Sequence, residues 1–465
     1  MERNFKYNMQ PVVVPQIETK NRRIKTMLPV PESLPILNTI IKYESSNVVE
    51  QPPIIWARAH GHTIEDSWGN KWIDFSSTIF VANTGHGHET IRTGLKEVID
   101  KPLLHSYSYP TIERAGYLEK LAAFTPEYIE KFSLFSTGTE AVERAVKLAR
   151  LYGATKSQSK NIIIGGDGNF HGKTMGSQMV GGKHADKKWI GYLDPNMAHL
   201  EFPYPWNEDT QGMRGKDLFY RHLQRLEEKG VDLRNITAFI IESFQGWGAV
   251  FYPKDYIQAM REWSKNNESL LICDEIQAGF GRTGKLFGYQ YYDIIPDLVV
   301  CGKAVSSSVP LSVVMGRADI IDLDPEYTST HGGHPLACIA GMKTIEVFER
   351  ENLIEEARRK EAFFIEANKR LCLKYPEIIR LTLGKGMLFA VYINNPKAEA
   401  SKPFREQLDI DLTDRIVEKA MQKGVFLIRT GCGTLKYGPP LSISDDALLE
   451  ALEVIDEAIG ECIEK

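Results

Sequence analysis

The sequence predicts an α/β protein: a mostly parallel central sheet with helices on both faces, plus a smaller α+β domain built from the N-terminal segment and the C-terminal residues. From about residue 90 to residue 345, short apolar runs alternate with longer segments of helical periodicity, the pattern of strands joined by crossover helices. These runs are apolar throughout instead of alternating with polar residues, as expected for strands covered on both faces. Outside this stretch the pattern changes to hairpin-like alternation before it and mixed helix and strand after it. The expected divisions are an N-terminal arm over 1–50, the N-terminal part of the small domain over 51–90, the large domain over 91–345 and the C-terminal small domain over 346–465.

The elements follow in order. Residues 1–50 are rich in proline and polar residues, with a basic run at Lys20–Lys25, and read as an arm available to pack on a partner subunit. Ile54–Phe75 alternates apolar and polar residues around Gly69-Asn70, a β-hairpin signature. Strands are expected at Phe132–Phe135, Asn161–Gly165, Ala238–Glu242, Leu270–Asp274, Leu298–Cys301 and Leu311–Met315. The clearest helix is Glu140–Leu151, where Val142, Ala145, Val146 and Ala149 recur at i, i+3, i+4 and i+7. The C-terminal part reads as one long helix over Ala340–Leu371, strands at Met387–Ile393 and Val425–Ile428, and a closing helix over Asp445–Glu461. Ser444-Asp445 suits the start of that last helix, as cap and as partner of its dipole. Ligands of open parallel sheets collect at the carboxyl ends of the strands, so the chemistry is expected there.

Composition excludes several classes. The 465 residues are 43% apolar and 25% charged, which suffices for a sizeable core. Lys+Arg 56 against Asp+Glu 61 leaves a net charge of −5, the opposite of the basic surface that nucleic acid requires. No apolar run reaches the roughly 20 residues of a membrane helix, and the N-terminus lacks the apolar centre of a secretion signal. The six cysteines form no CxxC pair, so they read as small buried residues in a reducing compartment. His86 and His88 have metal-like spacing, but no Cys or carboxylate completes a set nearby, and no metal site is expected. Asp66 and Asp74 fall where the hairpin turns, a common place for acids. The expectation is a cytoplasmic protein acting on small molecules, with neither nucleic acid nor membrane as partner.

Four segments carry chemistry, each at an expected strand end or loop. Ser136-Thr137-Gly138-Thr139-Glu140 joins a strand to a helix. Hydroxyls and N–H groups at a Gly-containing helix start can face an anion, and the same string also suits an ordinary Thr N-cap. Asn169-Phe170-His171-Gly172 follows a strand, and an aromatic ring there can stack on a planar group. A core Phe and a satisfied His are the plainer reading of those four residues alone. Cys273–Lys285 (CDEIQAGFGRTGK) carries an acid, Asp274, to the ligand edge of the sheet, and its glycines permit an unusual loop path. The Walker phosphate-loop spacing is absent. A carboxylate at this place can hold a heterocyclic nitrogen protonated. Pro296–Ala304 (PDLVVCGKA) delivers Lys303 to the same edge, one strand after Asp274, where desolvation lowers the pKa of an amine and frees it for Schiff-base chemistry. A lone lysine after a strand is usually a surface residue, and its place relative to Asp274 is what singles Lys303 out.

Together these segments converge on a phosphorylated, aromatic, electron-withdrawing cofactor. From about residue 50 onward the chain resembles the pyridoxal-phosphate-dependent class III aminotransferases, the ornithine/4-aminobutyrate type, of fold type I. DEIQAGFGRTGK followed by PDLVVCGKA, with STGTEA and FHGKT upstream, carries the resemblance. It implies pyridoxal 5'-phosphate as cofactor and two catalytic residues: Lys303 as the Schiff-base lysine and Asp274 as partner of the pyridinium nitrogen. It further implies that Ile276 and Phe170 lie on the two ring faces and that Gln277 approaches the ring hydroxyl. Ser136, Thr137, Gly138 and Thr139 form the phosphate-binding string, of which Gly138 and Thr139 match the family's phosphate cup, and His171 and Glu242 complete the cofactor set. Thr330, within Ser329–Cys338, matches the residue that reaches the phosphate from a second subunit, which implies a homodimer with shared active sites. The implied activity is ping-pong transfer of an amino group from an amine donor to a keto acid or aldehyde.

The departures from the family bear on the substrate. Lys436 occupies the place where an arginine often precedes Pro-Pro, and an ammonium cannot reproduce the bidentate carboxylate fork of arginine. Glu242 is kept, while Phe244 and Trp247 add aromatic bulk near the expected substrate channel. His334 stands where asparagine is usual after Gly-Gly, a change expected to bear on loop packing only. Lys436 and Glu242 suit a donor with hydroxyls or extra amines, an amino sugar or aminocyclitol, or else a polyamine or ω-amino acid. A racemase, epimerase, aminomutase or decarboxylase on the same scaffold shares every cofactor residue, and a catalytically silent binding homologue is the reading from another class.

Overall fold

Seven strands form the sheet that positions these segments: β1 Lys131–Phe135, β2 Ile162–Gly166, β3 Met197–Leu200, β4 Ile236–Glu242, β5 Leu270–Asp274, β6 Leu298–Cys301 and β7 Ser312–Gly316. Their order across the sheet is β1-β7-β6-β5-β4-β2-β3. The pairs β6–β5, β5–β4, β4–β2 and β2–β3 are parallel, and β7 alone runs against its neighbours. The strands β4 to β7 are buried along their whole length, which is why they read as uninterrupted apolar runs. Each large aliphatic side chain so withdrawn contributes about 1.5–3 kcal/mol. The computed structural model describes residues 6–45 and 50–463; residues 1–5 and 46–49 of the expected arm, and the last two of the expected C-terminal domain, lie outside the described residues.

Glu89–Arg358 forms one compact unit, and the residues up to His88 together with those from Arg359 onward form another. In the first unit, three helices matter for the site: α1 Ile112–Phe124, α2 Gly138–Lys156 and α3 Pro335–Arg350. The expected helix Glu140–Leu151 is the middle of α2, whose Ala141, Val142, Ala145, Leu148 and Ala149 pack on Ile163, Ile240 and Ile272 of the sheet. In the second unit, Arg58–His60, Thr63–Glu65 and Lys71–Asp74 form an antiparallel meander whose second turn contains Gly69-Asn70. Asp66 Oδ1 accepts the N–H groups of Trp68 and Asn70, both at 2.9 Å, and so shapes that turn.

The structure differs from the local reading of the sequence at four places. Met197–Leu200 is an edge strand that no apolar run announces. The single helix expected over Ala340–Leu371 is two, Pro335–Arg350 and Leu353–Lys374. Between them Asn352 takes a left-handed conformation (φ 50°), a helix-ending geometry that asparagine tolerates. The strand expected at Val425–Ile428 changes sheet midway: Val425–Phe426 pairs with Lys71–Asp74, and Ile428–Arg429 pairs with Thr434–Tyr437. The described residues of the stretch expected as an arm lie within its own unit, with Arg23 paired to Lys71 and Val14, Ile24, Leu28 and Val30 buried beside Ile64 and Trp72. No helix among the described residues is long and apolar enough to cross a membrane.

Candidate active site

The carboxyl ends of β2, β4, β5 and β6 open on one cavity of about 340 Å³. Its wall contains Gly138, Thr139, Phe170, His171, Glu242, Asp274, Ile276, Gln277 and Lys303 from the expected set, and also Gly172, Lys173, Phe244 and Ala278. Parallel pairing explains the gathering: Asp274 at the end of β5 is in register with Glu242 of β4 and Val300 of β6. Lys303 follows two residues after the end of β6, so the topology carries amine and acids to the same edge.

Lys303 has a left-handed backbone (φ 48°), a conformation that costs a bulky residue about 1 kcal/mol or more and that clusters at functional sites. Burial pushes its amine below the ordinary lysine pKa, while the carboxylates of Asp274 and Glu242 pull it back up. Asp274 is nearly fully buried, and its Oδ2 lies 2.7 Å from His171 Nδ1. Its Oδ1 accepts the N–H of Ile276 at 3.0 Å. The Nε2 of His171 has no protein partner among the described residues, so the arrangement that leaves only a lone pair unmatched puts the ring proton on Nδ1, donated to Asp274. Glu242 Oε2 accepts the N–H of Phe170 at 3.0 Å, which ties the aromatic wall to the β4 end. Phe170 lines the cavity and is 41% exposed, with Lys183 Nζ 5.4 Å from its ring centroid.

The neighbouring acids Asp274 and Glu275 have separate tasks. Glu275 points away from the cavity and accepts the N–H groups of Gly288 at 2.7 Å and Tyr289 at 2.9 Å, with a third bond from the Ser243 hydroxyl. Full burial raises its carboxyl to about 7 against the pull of those donors. Gly138 is needed where it stands, since a Cβ there would lie 2.8 Å from Ile276 Cδ1. The start of α2 can therefore lie flush against the cavity floor, and Thr139 Oγ1 joins a hydroxyl cluster with Thr174 Oγ1 (2.7 Å) and Ser177 Oγ (2.8 Å).

Three expected cofactor residues do not line the cavity. Ser136 and Thr137 donate their N–H groups to the Glu140 carboxylate at 3.1 and 2.8 Å, and Thr137 is the N-cap in a reciprocal capping box. Thr137 and the Ser136 N–H are therefore committed to starting α2, and T-x-x-E over Thr137–Glu140 is the sequence signal for it. Thr330 is exposed on a turn outside this cavity, where its carbonyl accepts from His105 Nε2 at 3.2 Å. Of the two added aromatics, Phe244 lines the cavity, whereas Trp247 is buried and donates its Nε1–H to Gln245. Lys436 lies in the other unit on Thr434–Tyr437, buried, with its ammonium 4.7 Å from the Phe80 ring centroid. His86 Nε2 lies 2.7 Å from Asp74 Oδ2, a structural pairing. Gly172 and Lys173 belong to the FHGKT string, but the sequence assigns neither a role of its own beyond its place directly after Phe170-His171.

An amine, a facing carboxylate pair, an aromatic wall and a helix start floored by glycine fit a planar, anionic, carbonyl-bearing group with a basic ring nitrogen. Comparisons with known proteins point the same way. A family profile described as "Aminotransferase class-III" matches residues 44–459. The chain is 31% identical over 426 residues to an ornithine aminotransferase of Emericella nidulans, covering 88% of this chain and 86% of that protein. It is 30% identical over 457 residues to a 4-aminobutyrate aminotransferase of Mycobacterium leprae, covering 95% of this chain and 99% of that protein. A solved transaminase from the marine bacterium Virgibacillus superposes with a TM-score of 0.82 at 25% identity, covering 92% of this chain and 99% of that one.

Proposed function

The chain belongs to the class III aminotransferases, fold type I enzymes that depend on pyridoxal phosphate, and from that premise we infer a ping-pong transfer between an amine donor and a keto acid or aldehyde acceptor, run through Lys303. The observation that carries the reading is the meeting of the Lys303 amine with the carboxylates of Asp274 and Glu242 in one cavity. When bound, the cofactor supplies a carbonyl for amine exchange and a ring that withdraws electrons from the donor's reacting carbon. The protein's own residues do the rest. Lys303 Nζ, whose charged form burial disfavours, takes the proton from that carbon and hands it on within the cavity. Asp274, oriented by His171 and the Ile276 N–H, keeps the ring nitrogen protonated. Phe170 and Ile276 hold the ring faces, Gln277 meets the ring hydroxyl, and Gly138 and Thr139 with the α2 N-terminus take the phosphate. The partner subunit's Thr330 adds a further phosphate contact in a homodimer.

The donor we infer is an ω-amino acid, a polyamine, or an amino sugar or aminocyclitol. Lys436 in place of arginine weakens recognition of an α-carboxylate, and Glu242 offers a carboxylate to a hydroxyl or second amine. The names of the relatives support the first of these classes, since 4-aminobutyrate carries its amine far from its carboxylate. A panel of ω-amino acids, diamines, amino sugars and α-amino acids, read by the conversion of the cofactor's absorbance between its aldehyde and amine forms, tests the reading. Conversion by one of the first three classes is expected. Conversion by α-amino acids alone would overturn the donor assignment, and inversion of a donor without amine transfer would overturn the reaction type.

A further inference from the structure

His334 is the N-cap of α3: its Nδ1 accepts the N–H of Leu336 at 3.2 Å. Pro335 at the first helical position has no N–H to offer, so Leu336 carries the first amide of the helix that needs an acceptor. A ring nitrogen that accepts carries no proton. The turn directly before the cap carries Thr330 and is held from the segment that leads into α1. His105 Nε2 donates to Thr330 O at 3.2 Å, Tyr107 Oη meets Thr328 Oγ1 at 3.0 Å, and Arg114 Nη1 donates to Gly332 O at 3.3 Å. Within the turn, the Gly332 N–H donates to Ser329 O at 3.1 Å and the His334 N–H to His331 O at 3.2 Å, so the cap of α3 and the placement of Thr330 are mechanically continuous.

The imidazoles and the guanidinium around this ring oppose a positive charge on it. The rings of His105 and His331 lie 5.7 and 6.4 Å from it, and 5.1 Å from each other. Arg114 of α1 adds a permanent cation at Gly332, and the positive end of the α3 dipole points at the ring. Glu113, on the same turn of α1, is engaged by Lys101 at 2.9 Å. The Cys338 thiol one turn into α3 is pushed up to about 12 by burial and stays neutral. Burial first, then the two neighbouring imidazoles, hold His334 below the ordinary histidine pKa, against the upward pull of a hydrogen bond to the Leu104 backbone.

We propose that His334 is a positioning residue whose neutral imidazole, by capping α3, fixes the turn that carries Thr330, so that cofactor retention requires this ring to remain unprotonated. The proposal rests on the reading of Thr330 as a phosphate contact between subunits. Its sign follows from linkage. The folded site binds its proton less readily than the unfolded chain, so the contribution of the cap is complete above the unfolded pKa of about 6.5 and is lost as pH falls below it.

Asparagine at 334 caps without titrating and alanine does not cap, which defines the test. Holoenzyme of the wild type, His334→Asn, His334→Ala and Thr330→Ala is compared at pH 7.5 and 5.5, by equilibrium dialysis of pyridoxal phosphate and by the thermal midpoint. The wild type should lose about 5-fold more affinity between the two pH values than His334→Asn does, and His334→Ala should be weak by about that factor already at pH 7.5. The thermal midpoint should show the same contrast. Identical pH dependence in the wild type and His334→Asn would overturn the titrating cap. Unchanged affinity in Thr330→Ala would overturn the link to the cofactor instead, and the thermal midpoints tell that failure from a failure of the cap.

Discussion

His171 Nδ1 and Asp274 Oδ2 stand 2.7 Å apart, with the His171 side chain fully withdrawn from solvent and Asp274 nearly so. The pairing spans 103 residues of sequence and fixes the one acid whose charge the proposed chemistry needs. Asp274→Ala should therefore lower turnover by several orders of magnitude. His171→Phe keeps a ring in place but removes the donor, at a cost of about 1–3 kcal/mol for a buried charged partner. Steady-state kinetics should show a loss of about 10- to 100-fold in turnover; an unchanged rate would remove His171 from the site's working parts.

Glu275 gives a pH prediction. Its folded pKa, about 7, lies above the ordinary 4.5, so its contribution to stability is present below pH 4.5 and declines as pH rises through about 7. Glu275→Gln removes that slope. The amide also sets one N–H donor where a carboxylate oxygen accepted, facing either the N–H of Gly288 or that of Tyr289, so the variant should be less stable overall, by about 1–3 kcal/mol. Denaturant titrations at pH 5 and pH 8 measure both effects, and a variant with the wild-type pH slope would contradict the assignment.

Gly153 sets two effects against each other. It lies inside α2, where alanine would gain about 1 kcal/mol of helix propensity. A Cβ there would come 1.9 Å from Lys160 O and 2.5 Å from Thr237 Oγ1, and overpacking of this kind costs about 1–3 kcal/mol or more. Sterics should win. Gly153→Ala is expected to lower the midpoint of chemical denaturation, and a raised midpoint would show that the helix can shift away from the sheet.

The proposed sharing of active sites makes a prediction that one polypeptide cannot satisfy alone. Thr330 is exposed and outside its own chain's cavity. Lys303→Ala and Thr330→Ala homodimers should both be impaired, the first abolished and the second in cofactor affinity. Mixed dimers of the two variants should recover activity, because one of their two sites carries neither change. No recovery on subunit exchange would argue against a phosphate contact made across the interface.

Much of this architecture was legible because burial writes itself into composition. Leu270–Asp274 and Leu298–Cys301 are bounded as the apolar runs suggested, since strands covered on both faces admit few polar residues. Met197–Leu200 escaped because it is a half-buried edge strand that includes a histidine. The break at Asn352 escaped because the apolar periodicity continues across it and only one residue's φ changes sign. At the site, Lys303 and Asp274 were readable from their places at successive strand ends. The pairing of Asp274 with His171, the commitment of Ser136 and Thr137 to Glu140, and the cap made by His334 depend on side-chain directions that a linear pattern does not encode.

The central claim is that the amine at position 303 is the cofactor's covalent partner. Borohydride reduction of the holoenzyme, followed by tryptic digestion and mass spectrometry, tests it most directly. The peptide containing Lys303 should carry the added mass of the reduced cofactor, and in Lys303→Ala no peptide should. A modified lysine elsewhere, with Lys303 recovered intact, would contradict the account.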